Sequence, residues 1–222
     1  MKKLLVALMV LGLAATAGAD LLLEWDFVNS LIVSQVADTI IPNLDTGGAY
    51  NDLTRGAGAG TSAGASSFRT TGFQNNGIDT ANTDYFQVFL SAANGYGLSL
   101  SSITAVFAGT TSFSANHGVE MQWAYSFDGG VNLTLIGSSQ FRIGNGSVTW
   151  DLSGTPALQG IAAGTDVTLR MYASGQTTTG GWGYIGDSGL QVYGTVIPEP
   201  SVLGLMLLGG LGVMRFARRR HA

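Results

Sequence analysis

The chain reads as an all-β protein, an antiparallel β-sandwich, and three observations carry that prediction. Short runs with alternating apolar residues recur along the chain, clusters of Gly, Asn, Asp and Ser separate them, and nowhere between residues 20 and 196 does an amphipathic 3.6-residue period emerge. A chain built this way hides one face of each strand against a second sheet.

The strands follow in order. "LLLEWDF" (21–27), "DYFQVFLS" (84–91) and "SSITAVFAG" (101–109) are short runs of this kind. The clearest is "VEMQWAYSF" (119–127): Val119, Met121, Trp123, Tyr125 and Phe127 share one face, and Glu120, Gln122, Ala124 and Ser126 the other. The turn residues "DGG" lead from it towards "VNLTLIG" (131–137), which reads as its hairpin partner. "SVTWDLS" (147–153), "DVTLRMYA" (166–173) and "LQVYGTV" (190–196) complete at least eight strands. That number suits two four-stranded sheets, so a jelly roll is the expected topology, with Trp25, Trp123 and Trp150 in its core. Thr46 to Ser67 is dominated by small residues and is expected to form a mobile surface loop with almost nothing to bury.

Composition narrows the function classes. With 33 Gly, no Cys and 11% charged residues, the chain has no thiol nucleophile and no thiolate metal site. Between Asp20 and Glu199 only Arg55, Arg69, Arg142 and Arg170 stand against fourteen acidic residues. A body this acidic is repelled by phosphate backbones, so nucleic acid is not an expected partner.

The remaining basic residues sit at the ends. "MKKLLVALMVLGLAATAGAD" has Lys2 and Lys3, an apolar stretch from Leu4 to about Ala15, and small residues before Asp20. This is the pattern of a secretory leader, with Ala17 and Ala19 at the cleavage site, so residues 1–19 are expected to be removed on export. At the other end Pro198-Glu199-Pro200 precedes an apolar segment, Val202 to Ala217, interrupted only by Arg215. As a helix it reaches about 24 Å, short of a hydrocarbon core of roughly 30 Å, which makes it a marginal transmembrane anchor. Arg215, Arg218, Arg219 and Arg220 place the tail in the cytoplasm by the positive-inside rule. The prolines should hold Glu199 in an extended strip outside the bilayer, in a form that a protease-like cleft can bind. The expected organisation is leader 1–19, sandwich 20–196 and terminal signal 197–222.

A Pro-Glu-Pro triplet, an adjoining glycine-containing apolar segment and a terminal arginine cluster together resemble the PEP-CTERM sorting signal of Gram-negative bacteria. The resemblance implies recognition by an exosortase, a membrane-embedded cysteine transpeptidase, and processing near the triplet. It also implies the secretion machinery as a partner, passage through the inner membrane, and a final place at the cell surface or in an extracellular matrix tied to exopolysaccharide and biofilm. The body is similar to the galactose-binding-like jelly rolls, on "YSFDGGVNLTLIG" and "TLRMYASGQTTTGGWGYIGDSGLQVYG". That likeness speaks to fold more than to ligand.

Within the body no catalytic residue is expected. His117 lies in a turn-like stretch with no Gly-x-Ser-x-Gly elbow, and His221 is in the tail. Glu24, Asp26 and Glu120 are the carboxylates a glycoside hydrolase would need, and they read more simply as solvated strand faces. Asp79, Asn82 and Asp84, with Asp128, supply oxygen ligands that suit Ca2+, but the EF-hand spacing is missing and Asx turns explain the same residues. "GAGAG" lacks the Lys and Ser/Thr of a phosphate-binding loop. Trp182 and Tyr184, set among glycines, are the candidates for stacking on a sugar. No cofactor is implied. The chain thus reads as a non-enzymatic exported surface protein; a carbohydrate-binding module delivered by the same route is the alternative, and a polysaccharide-acting enzyme comes third.

Overall fold

The computed structural model describes residues 18–28, 35–62, 64, 66–73, 76–109, 118–175 and 180–199. Among them the strands are β1 (Asp20–Trp25), β2 (Gln35–Val36), β3 (Thr39–Ile40), β4 (Asp52–Arg55), β5 (Ser67–Thr70), β6 (Tyr85–Leu90), β7 (Tyr96–Gly109), β8 (Val119–Ser126), β9 (Thr134–Leu135), β10 (Gln140–Arg142), β11 (Gly146–Asp151), β12 (Val167–Ser174), β13 (Trp182–Ile185) and β14 (Leu190–Pro198). The one helical element described is a single 3-10 turn, Pro156–Leu158. All strand pairs are antiparallel.

Two sheets form the sandwich. In the first, β1, β14 and β7 lie side by side, with β3 outside β1 and β11 on the far edge of β7; β13 continues the line of β14 along β7 and carries β5. In the second, the order is β10, β8, β12, β6, β4, β2, and β9 joins β8 beside β10. The apolar faces meet between the sheets. Leu23 and Trp25, then Ile103, Ala105 and Phe107, face Phe86 and Val88, Met121 and Trp123, and Leu169 and Met171 in one continuous core.

β7 shows how the alternation survives over fourteen residues. Leu98 and Leu100 are buried, and so are Ile103 and Ala105, although simple alternation would put the two pairs on opposite faces. Pairing with β14 slips between Tyr193 and Gly194, so that Ser102 faces Tyr193 and Leu100 faces Gly194. Ser101 is therefore a bulge that restores the phase.

The eight strands expected from sequence are all present, and the sandwich is as expected. Two details differ. β8 ends at Ser126, so Phe127 turns outwards and is 40% exposed, while Gln122, Ala124 and Ser126, expected on the outer face, are buried too. The Gln122 amide donates to the carbonyl oxygens of Ile136 and Gly137.

The segment from Thr46 to Ser67 is the larger correction, because it is packed into the fold. β4 runs through it, Leu53 and Ala59 are fully buried, and Thr61 bridges to Thr70. Its small residues permit this close approach. A Cβ on Gly72 would stand 2.0 Å from the carbonyl oxygen of Gly58, so only a bare backbone fits there.

Candidate functional site

The region marked by the sequence as functional, Pro198-Glu199-Pro200, begins inside the fold. β14 stays in register on β7 through Ile197, opposite Gly97, and Pro198, opposite Tyr96, two residues beyond the boundary expected at residue 196. The Glu199 N–H then donates to the Gly95 carbonyl at 2.9 Å. Its carboxylate accepts from the Ala163 N–H at 3.0 Å. Pro198 continues β14 and Glu199 is fastened to the sandwich, so these two residues do not stand free of it. Pro200 lies outside the described residues.

The position of Pro198 follows from hydrogen-bond direction. Glu199 directs its N–H towards β7, and on the far edge of β7 Leu98 exchanges bonds with Ile161 (2.8 and 2.7 Å). Alternation along the pair then sets Thr195, Ile197 and Glu199 towards β7, and Val196 and Pro198 outwards. Proline takes a place where an N–H would have met no strand. β1 covers that edge only as far as the Asp20–Gly194 pair, so among the described residues 195–198 are paired on one side.

Ala163 is presented by a tight turn. The Thr165 N–H bonds the Ala162 carbonyl at 3.1 Å, and Gly164 takes φ +68°, the arrangement of a type II turn with Ala163 and Gly164 at its centre. Between this turn and the strand end lies a cleft of about 510 Å³, lined by Leu98, Ile161, Ala162, Ile197, Pro198 and Glu199 among others. Its walls are mostly apolar.

The other candidates fall elsewhere. Trp182 is 3% exposed and Tyr184 is fully buried. Trp182 stacks on Phe107 (4.6 Å between ring centres), and the Tyr184 ring lies 5.0 Å from Phe107 and 5.2 Å from Phe86. Burial pushes the Tyr184 hydroxyl pKa well up. Neither ring offers a face to a pyranose, so the proposed sugar contact is corrected: these are core residues, and the flanking glycines let strands pack on them.

Glu24 belongs to the first sheet, Asp26 follows directly after β1, and Glu120 belongs to the second sheet. Glu24 accepts from Gln191 Nε2 at 2.8 Å and from Thr39 Oγ1 at 3.3 Å; hydrogen bonds, that from Ser188 first, hold its pKa below the usual carboxylate value. Asp26 accepts from the Val28 N–H at 2.7 Å, and its own N–H donates to Asp38 Oδ2 at 2.7 Å. The Glu24 carboxylate thus ties β1 to β14 and β3, while that of Asp26 closes a local turn. Asp79 closes a local turn by accepting from the Ala81 N–H at 2.8 Å, Asn82 Nδ2 donates to the Gly77 carbonyl, and Asp84 is buried. No group of three metal-ligating side chains of the His, Cys, Asp or Glu type comes together among the described residues. Asp128 accepts from the Ser126 hydroxyl and from the N–H groups of Asn132 and Val131, which hold its carboxyl far below the usual range.

Ala17, His117, Arg215, Arg218, Arg219, Arg220 and His221 lie outside the described residues; Ala19 is exposed just before β1. No described helix is long and apolar enough to cross a membrane.

One patch was not legible in the sequence. On the outer face of the second sheet the Arg170 guanidinium lies 4.1 Å over the Tyr85 ring, its Nε donates to Gln87 at 2.8 Å, and Tyr172 meets Tyr85 edge-on. Nearby, Tyr50 stacks on Phe89 at 4.7 Å and donates to Asp166 at 2.6 Å, which pushes the Tyr50 pKa up to about 12. The groups of this patch engage one another.

No family model matches the chain, and no curated protein matches it.

Proposed function

We propose that this is an exported, non-enzymatic protein of a Gram-negative cell surface or extracellular matrix, processed near Glu199 by a transpeptidase of the exosortase type. The observation that carries the reading is the meeting of the two ends. Asp20, the first residue after the expected leader, pairs with Gly194, and β14 continues from there to the Pro-Glu-Pro strip. At about 3.3 Å per residue, Glu199 lies roughly 17 Å beyond that pair. A leader and a C-terminal anchor leaving the same end of one sandwich can enter the same bilayer without threading the fold. The acidic body and terminal arginines support the same topology. Passage through the secretion machinery and inner membrane, and association with exopolysaccharide or biofilm, belong to this proposal.

We read the sandwich as a jelly roll. Taking β1, β6, β7, β8, the β9–β10 edge, β11, β12 and the β13–β14 line as eight successive strands, the first sheet has the order 1-8-3-6 and the second 2-7-4-5. Successive strands then alternate between sheets, apart from the fourth and fifth, which form a hairpin. β2 to β5 are additions at the edges. Sugar binding through Trp182 and Tyr184 is not part of the proposal, because both are interior.

Mass spectrometry of the surface fraction tests it. In an exosortase-positive host the mature protein should begin at Asp20 and lack the residues from the apolar segment onwards. Retention of Val202 to Ala222 there would leave a plain membrane anchor instead.

A further inference from the structure

We infer that the processing strip is latched: the sandwich holds Ile197 to Glu199 closed, and the last rungs of β14 must peel from β7 before an enzyme can take the strip. The inference rests on the processing reading above and concerns its control. An enzyme that binds substrate as an extended strand grips alternating backbone N–H and C=O groups. Here Thr195 and Ile197 spend theirs on β7, and Glu199 spends its N–H on Gly95. The outward edge from 196 to 198 offers a single N–H, that of Val196, because Pro198 has none. A cleft meeting the folded strand therefore finds too few partners to hold it.

The latch is also separable from the rest of the fold. Beyond Gly194 the strand is paired on one side only among the described residues, and its final fastening is the pair of bonds at Glu199, one to the β6–β7 turn at Gly95 and one to the Ala162–Thr165 turn. Opening these exposes little new area at Ile197, already 51% exposed, and the one side chain of the last rungs that packs against the core is the half-buried Val196. The core below, from Leu190 to Val192, stays between β1 and β7. Local opening of an end like this occurs far more often than global unfolding. The described contacts thus set how often the strip becomes available, without any change in the motif itself.

The test leaves the motif untouched. Ala163→Pro removes the N–H that bonds Glu199, and proline suits this position of a type II turn, so the turn survives. In the full chain, purified from a host without the transpeptidase, hydrogen exchange at the Glu199 amide should quicken about fivefold, the effect of one net hydrogen bond. In the exosortase-positive host, processing in a pulse-chase should quicken in the same direction. The converse variant is Leu98→Cys with Val196→Cys, a non-hydrogen-bonded cross-strand pair whose spacing suits a disulfide. Oxidised, it should resist processing; reduced, the same protein should be processed.

Equal processing of the oxidised and reduced forms overturns the latch. So does Ala163→Pro that changes neither exchange nor processing, or that speeds exchange while leaving processing unchanged. If the wild-type chain is not processed either, the processing reading fails, and the exchange measurement alone decides whether Glu199 is held.

Discussion

The β13–β14 line runs along one edge of β7 from Trp182 to Pro198, and its two ends are secured by different means. At the β13 end two aromatic side chains are sunk among Phe68, Phe73, Phe86 and Phe107, and β5 covers the outer edge. At the β14 end backbone hydrogen bonds, one carboxylate contact and the partly buried Val196 do the holding, and among the described residues no strand pairs with the outer edge from residue 195. Burial of large rings cannot be undone without opening the core, whereas a net hydrogen bond is worth about 1 kcal/mol and an end rung can open alone. One strand path therefore combines a permanent seam with a releasable end.

The largest predicted effect breaks the permanent end. Trp182→Ala should destabilise the sandwich by about 3–5 kcal/mol, read as a fall in denaturant midpoint with little change in slope. A loss below about 1 kcal/mol would mean that the ring does not seal the core.

Tyr184→Phe sharpens the comparison in the opposite direction. Its hydroxyl is buried and has no hydrogen-bond partner among the described residues, so removing it should leave stability unchanged or raise it by up to about 1 kcal/mol. A clear loss in the same titration would reveal a partner for that oxygen.

The smallest effect comes from acid. Glu24 has a lowered pKa in the folded chain, with hydrogen bonds from Ser188, Gln191 and Thr39. A lowered carboxylate stabilises above its unfolded value of 4.5, and that contribution is lost as pH falls through the folded value. Glu24→Gln should therefore flatten part of the decline in thermal midpoint below about pH 4.5. An unaltered acid limb would show that Glu24 takes no part in it.

The sequence made the sandwich legible because each long strand carries its own alternation and its own turn. It made Trp25, Trp123 and Trp150 legible as core for the same reason. β4 was not legible: in "NDLTRG" one buried Leu53 is too little for a period, and the glycines around it resemble a free loop until Gly58 and Gly72 are seen in contact. Trp182 was misread on similar grounds, since glycines beside an aromatic ring permit close strand packing as readily as ligand approach. At the candidate site the motif was readable and its fastening was not. The Ala163 N–H reaches the Glu199 carboxylate across 36 residues, and its donor is a backbone group that any residue but proline supplies, so no residue pattern encodes the pair; "AAGT" announces at most a turn.

Residue-resolved native-state hydrogen exchange of the wild-type chain tests the central contrast most directly. The account predicts that the Glu199 amide exchanges through a local opening insensitive to low denaturant, while the protected amides of β13 exchange only through global unfolding. Equal protection at the two ends, falling together with denaturant, would contradict it.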